Sequence, residues 1–394
     1  MPRDATPATR NSRALDLLNF FIADVQTGFG PFVAVYLTTQ KWTQVEIGFV
    51  LSLGTVTALV SQIPAGALVD AARSKRGIVR GGLIAIIIAA LLLAIWPNRL
   101  PVALALVLQG IAGSILTPAI AAISLQLVGH AALGDRLGRN ARFGSIGNGI
   151  TAAVMGTIGA WLSSGSVFWL TAALCVPALA ALSAIRPVPE AGSAATLLDW
   201  RGLRTLLADR RLLIFAAGVL LFHLSNAAML PLAAAAVTMR AGDFANLIIA
   251  ACIVLPQGVV ALCSPWVGHT ADRVGRRPML LLGWIALPVR GALLAVLPGA
   301  YSVIGAQSIG GISAAVFGVM LPLLAADLTR GTAHFTLCMG SLGLAVCIGA
   351  ALSTSMAGWI ADTLGLTAAF CALAAGGLLG TVLLWRLMPE TRQA

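Results

Sequence analysis

The stretch Gly268-His269-Thr270-Ala271-Asp272-Arg273-Val274-Gly275-Arg276-Arg277-Pro278-Met279-Leu280 separates two long apolar runs, residues 245 to 268 and 278 to 297. It carries three arginines and an aspartate, whereas Arg290 is the only charged residue in the two runs it joins. The same alternation of long apolar run and short basic loop recurs along all 394 residues. With 59% hydrophobic and 10% charged residues and a mean hydropathy of +0.94, the chain has too little polar surface for a domain bathed in water. Runs of about 18 to 25 apolar residues match a hydrocarbon core of about 30 Å at 1.5 Å rise per helical residue. Lipid offers no partners to backbone N–H and C=O groups, so only helices or a closed barrel can span it, and these runs are too long and too continuous for strands. The expected fold class is an all-α polytopic membrane protein.

Twelve spans are predicted, over residues 14 to 38, 45 to 69, 78 to 96, 101 to 128, 143 to 163, 167 to 185, 211 to 238, 245 to 268, 278 to 297, 302 to 325, 337 to 360 and 366 to 387. The longest polar break lies near the middle, between Arg186 and Arg211, and contains Pro187, Pro189, Glu190, Asp199 and Asp209. It divides the chain into a six-helix bundle over 1–190, a linker over 191–210 and a second bundle over 211–394. The first apolar run is too long for a cleaved leader, so it reads as an uncleaved first helix. The six cysteines fall inside apolar stretches with no C-x-x-C or metal-ligand spacing, which reads as buried thiols.

Orientation follows from the basic residues, because short cytoplasmic loops retain Lys and Arg. Of 25 Lys and Arg residues, 21 fall on the termini, the linker and the loops of one side, among them Arg73, Lys75, Arg76, Arg136, Arg139, Arg273 and Arg330. The opposite loops hold only Lys41, Arg99 and Arg240. Both ends are therefore expected in the cytoplasm. The net charge of +11 is accounted for by topology and anionic lipid, and nucleic-acid binding is not expected.

The halves repeat at an offset of about 200 residues, a common architecture for carriers that bind solute between two copies. Gln26 to Pro31 matches Asn226 to Pro231, Gly66 and Asp70 match Gly268 and Asp272, and Gln109 matches Gln307. Gly144-Ser145-Ile146-Gly147 likewise matches Gly340-Ser341-Leu342-Gly343. The small residues of this last pair suggest close-packing seams where helices can slide.

The opening stretch closely resembles the loop signature G-x-x-x-D-R-x-G-R-R of the major facilitator superfamily. A weaker copy, Gly66-Ala67-Leu68-Val69-Asp70-Ala71-Ala72-Arg73-Ser74-Lys75-Arg76, lacks the glycine before the basic pair. The resemblance implies secondary transport by two six-helix bundles, with spans 1, 4, 7 and 10 lining a central path and spans 3, 6, 9 and 12 at the periphery. Physically, the glycines permit close helix approach, while each aspartate can pair with arginines and with the positive N-terminus of a neighbouring helix. The gating set on this reading is Gly66, Asp70, Arg73, Gly268, Asp272, Arg273, Gly275, Arg276 and Arg277; the bland alternative is a basic loop that only sets topology. The chain departs from the drug-exporter pattern, with Leu106 where an arginine is usual in span 4 and Asn148 after Gly147 in place of a proline motif. Sugar-porter and phosphate-porter motifs are not apparent.

An ionisable side chain deep in a span costs roughly 2.5–3.5 kcal/mol on insertion scales. Among the carboxylates Asp24 alone lies near the centre of a span, and His223 lies at a similar depth in span 7. Asp24 could exchange a proton as its surroundings alternate between dry and wet, or could simply fix helix 1. His223 reads either as a path residue or as a hydrogen-bonded core histidine, with Asn226 on the same face. Arg290 is expected to snorkel outward from peripheral span 9 to lipid headgroups, or, pointing inward, to pair Asp24 or hold an anionic substrate. Gln109, Asn148 and Gln307 are candidate hydrogen-bonding groups of the path, or simply helix-joining amides.

The function expected is secondary active transport of a small solute by alternating access, coupled to protons through Asp24 and preferentially outward, in a bacterial inner membrane. Import or uniport without protons, and export of a divalent metal through Asp24 and His223, stand as alternatives; two ligands make a poor metal site. No Walker-type loop or cluster of catalytic groups is present in the sequence, so neither ATP-driven pumping nor enzyme activity is expected, and no cofactor is called for. The partners expected are the solute, protons and membrane lipid, and the chain is read as a monomer.

Overall fold

The computed structural model describes residues 7–27, 31–186, 200–241, 245–297 and 300–392. They form fifteen α-helices with no strand among them. Helices α1 (Pro7–Thr27) and α2 (Pro31–Thr39) make up the first predicted span, and α3 (Gln44–Ala71), α4 (Lys75–Ile95), α5 (Arg99–Val128), α6 (Leu133–Trp161) and α7 (Ser166–Ala184) the next five. A short helix, α8 (Trp200–Ala208), lies in the linker region. The second half comprises α9 (Arg210–Asn226), α10 (Met229–Ala241), α11 (Ala245–Val274), α12 (Arg276–Val296), α13 (Ala300–Leu328), α14 (Phe335–Leu364) and α15 (Leu366–Leu387). Nine helical segments among the described residues are long and apolar enough to cross a membrane.

Span 7, expected as one continuous helix, is divided in two. The division falls between Asn226 and Met229, in the segment that the repeat aligns with Gln26 to Pro31; α1 ends at Thr27 and α2 begins at Pro31, with residues 28–30 outside the described residues. Proline lacks an N–H and clashes with the carbonyl four residues back, so it tolerates only the first turn of a helix. Pro31 opens α2 and Pro231 sits in the first turn of α10. Lipid would leave the freed backbone groups unsatisfied. In the second half Ala228 N donates to Ser353 Oγ at 3.0 Å.

The chain divides into two compact units, and neither is a simple half of the sequence. Unit 1 comprises residues 1–130, 143–199 and 331–340, so it includes the start of α14; unit 2 comprises 131–142, 200–330 and 341–394, so it includes the start of α6. In unit 1 a core of Leu15, Leu18, Val33, Leu83, Ile86, Leu116 and Phe168 knits α1, α2, α4, α5 and α7 together. In unit 2 Met229, Val237, Cys252, Leu294, Leu373 and their neighbours do the same for α10, α11, α12 and α15. Large apolar side chains such as Leu262, Trp359 and Val176 point outward, as lipid allows. Trp96, Trp161 and Trp385 are exposed at or beside helix ends, where an amphipathic ring suits the interface.

Candidate functional site

Two loop sites repeat the same device. In unit 1, α3 crosses the start of α14 so closely that a Cβ on Gly66 would stand 2.3 Å from the Thr336 carbonyl oxygen. Only a glycine allows that approach. Asp70, one turn further on and buried, accepts the N–H of Thr336 at 3.0 Å and that of Leu337 at 2.8 Å. These are among the four N–H groups that a helix start leaves without partners, at the positive end of its dipole. Thr336 Oγ1 donates to Gly66 O at 2.7 Å, closing the contact. Gly340, one turn into α14, is held the same way: its Cβ would lie 2.2 Å from Gln62 O.

In unit 2, α11 meets the start of α6. A Cβ on Gly268 would be 2.1 Å from Gly134 O, and one on Gly138 would be 2.4 Å from Ser264 O. Asp272 accepts the Asp135 N–H at 3.1 Å, and His269 Nδ1 lies 3.1 Å from the Asp135 carboxylate. Burial pushes the Asp272 carboxyl above its ordinary range, against the Arg276 guanidinium and the Asp135 N–H, which act to lower it.

The basic residues of the two loops play unequal parts. Arg73 and Arg273 are exposed. The buried cation in unit 1 is Lys75, whose Nζ donates to the carbonyls of Asp70 and Ala72. In unit 2 it is Arg276, which donates to Ala271 O, to Asp272 Oδ1 at 2.9 Å and to Asp327 Oδ2 at 2.9 Å. Gly275 has φ +129°, a conformation open to glycine, and Glu390 sits against it. The Glu390 carboxylate accepts the N–H groups of Arg276 and Arg277, which start α12, at 2.8 and 3.0 Å. Arg277 reaches Trp385 O, and Arg392 reaches Arg273 O, so the C-terminal segment clasps the loop. Burial acts to raise the Glu390 pKa, but the N–H groups of Arg392, Arg276, Arg277 and Thr391 together hold it below the usual glutamate range.

Asp135, Asp327, Thr336, Lys75 and Glu390 were not singled out from the sequence. Lys75 and Glu390 carried a faint signal, in a basic loop and in a Pro-Glu-Thr run just past the last span; the others became visible only through contacts between remote segments.

The intramembrane candidates fall into separate places. Asp24 lies in α1, one turn before its end; its side chain is outside the described residues. Gln109 on α5 and Asn148 on α6 are half-buried. In unit 2, however, three candidates meet. Arg290 does not reach outward to headgroups: it is 4% exposed, donating from Nη1 to Asn226 Oδ1 at 2.6 Å and from Nη2 to Gln307 Oε1 at 2.5 Å. The cause is local room, since Gly310 on α13 has no side chain where a Cβ would lie 2.9 Å from Arg290 Nη1. One turn before Asn226, His223 Nδ1 lies 3.3 Å from Val219 O, and the ring packs edge-on to Phe317 at 4.7 Å between centroids. Of the glycine seams, Gly340 is tight, whereas a Cβ on Gly144 would meet only ordinary contacts at 3.9 Å.

The family model of the Major Facilitator Superfamily matches residues 15–255 and 227–394. An uncharacterized MFS-type transporter of Mycobacterium tuberculosis, from strains CDC 1551 and H37Rv, is 37% identical over 392 residues, covering 97% of this chain and 94% of the relative. The chain therefore belongs to the major facilitator superfamily of membrane transporters. Similar solved structures include the human organic anion transporter MFSD10 (TM-score 0.78, 15% identity, 96% of this chain and 100% of that one). The Escherichia coli fucose:proton symporter aligns with TM-score 0.76 at 16% identity over 97% and 98% of the two chains. At these identities the solved structures speak for the fold.

Proposed function

We propose that this transporter is a secondary active carrier that moves a small solute by alternating access, coupled to protons and directed outward. The observation that carries alternating access is the repeated cap: at matching positions of the two sequence halves an aspartate and a glycine hold a remote helix start, by bonds that can break and re-form without unfolding either helix. Such contacts suit an element with two discrete arrangements. Coupling rests on Asp24, in the last turn of α1. The distribution of basic residues supports both termini on the inner side of a bacterial cytoplasmic membrane, and the repeat at about 200 residues supports two functional bundles over 1–190 and 211–394. Divalent-metal export has no observation in its favour: among the described residues no group of three or more His, Cys, Asp or Glu converges.

Purified protein in proteoliposomes with an imposed pH gradient tests this reading. Solute flux driven by the gradient in the wild type, and exchange without gradient drive in Asp24→Asn, is the expected result. Flux indifferent to the gradient removes the coupling, and flux driven equally well in Asp24→Asn removes that residue's role.

A further inference from the structure

Arg290 is a buried cation whose side-chain acceptors are neutral amides. Its two terminal nitrogens donate to the amide oxygens Asn226 Oδ1 and Gln307 Oε1. Two further nitrogens of the cluster, Arg290 Nε and Gln307 Nε2, are buried and have no hydrogen-bond partner. Gln307 is itself 3% exposed, so neither donor is compensated by bulk solvent. Buried charges are ordinarily paired, and an unpaired donor forfeits its hydration. No salt bridge to Arg290 occurs among the described residues. A cluster whose positive charge meets only neutral amides and which keeps two buried donors without partners is complementary to an oxyanion.

We propose that Arg290, Gln307 and Asn226 form the binding site for the anionic group of the transported solute, a carboxylate that accepts from Arg290 Nε and Gln307 Nε2. The inference rests on the carrier reading above and names its substrate class, an organic anion. Asn226 and Gln307 hold the guanidinium in one orientation, and Gly310 makes the room for it. A planar guanidinium presents donors in a fixed fork that matches a carboxylate, which a lysine ammonium does not. Helix α9 places His223 one turn from Asn226, and the His223 ring packs on Phe317 of α13, so a half-buried aromatic pair begins one turn from the amide that holds the guanidinium, for an apolar solute body. An aromatic carboxylate is the simplest probe.

The test uses full-length protein in phosphatidylcholine nanodiscs, with thermal unfolding read against benzoate, benzamide and benzylamine. Benzoate is expected to raise Tm with concentration, with benzamide and benzylamine inert. Gln307→Glu supplies an internal counter-charge: it is expected to raise the Tm of the ligand-free protein and to weaken the benzoate response by at least about tenfold. Arg290→Lys, which keeps the charge and loses the fork, is expected to fold and to respond weakly. Equal stabilisation by benzamide, or an unchanged benzoate response in Gln307→Glu, overturns the proposal. So does a Gln307→Glu protein with no gain in ligand-free Tm, because the charge is then already balanced within the chain. Phosphatidylglycerol replacing benzoate as the stabilising agent, with no further rise on adding benzoate, assigns the site to lipid phosphate and also overturns it. Flux separates the two readings. Benzoate binding with no flux of any tested solute sinks the carrier reading and leaves the site, whereas flux of a neutral or cationic solute unaltered by Gln307→Glu sinks the anion site and leaves the carrier.

Discussion

Asp70 accepts the Thr336 N–H at 3.0 Å from one carboxylate oxygen, while the other takes the N–H of Leu337 at 2.8 Å, across 266 and 267 positions of sequence. Hydrogen bonds to a charged group contribute about 1.5–3 kcal/mol each. Asp70→Ala, which loses both, is therefore expected to destabilise this conformer by about 3–6 kcal/mol. Asp70→Asn, which keeps one acceptor, should lose less. Thermal unfolding ranks the variants, and Asp70→Ala as stable as the wild type would remove the cap from the account.

Steric crowding decides which glycines can take a side chain. Gly268→Ala is expected to cost about 1–3 kcal/mol by overpacking against Gly134. Gly258→Ala on the same helix, where a Cβ meets nothing within 4 Å, should be neutral or mildly stabilising. Unfolding temperatures of the pair decide the matter, and equal effects would show that close approach is not what Gly268 provides.

Arg276 is 5% exposed and joins Asp272 to Asp327. Removing one partner from such a buried network leaves uncompensated carboxylates and costs about 3–5 kcal/mol. Arg276→Leu should unfold or misassemble unit 2, whereas Arg273→Leu, in an exposed neighbour, should keep its expression and Tm. A fluorescence-detected gel-filtration profile distinguishes them.

Glu390 introduces a pH dependence of known sign. Its folded-state pKa is depressed, so its contribution is complete above the ordinary glutamate pKa of about 4.3 and is lost as pH falls through the folded value. The Tm difference between wild type and Glu390→Gln should be constant near neutrality and shrink below about pH 4. A difference that grows on acidification contradicts the assignment.

The sequence alone determined the class of fold, because apolar runs of membrane length leave the backbone no choice but helices, and basic loops mark one side of them. It also located the loop motif and its weaker copy, since a glycine and an aspartate one turn apart at matching places in the two halves are legible without coordinates. The division of span 7 was hidden because hydropathy does not register where a helix stops inside lipid; Pro231 was the available clue. Which basic residue is buried, Lys75 or Arg73, and Arg276 or Arg273, is decided by where α4 and α12 begin relative to the loops. Arg290 is the plainest case. Its helix position argued for the periphery, but the direction of a long side chain depends on what stands opposite, and only packing placed Gly310, Asn226 and Gln307 there.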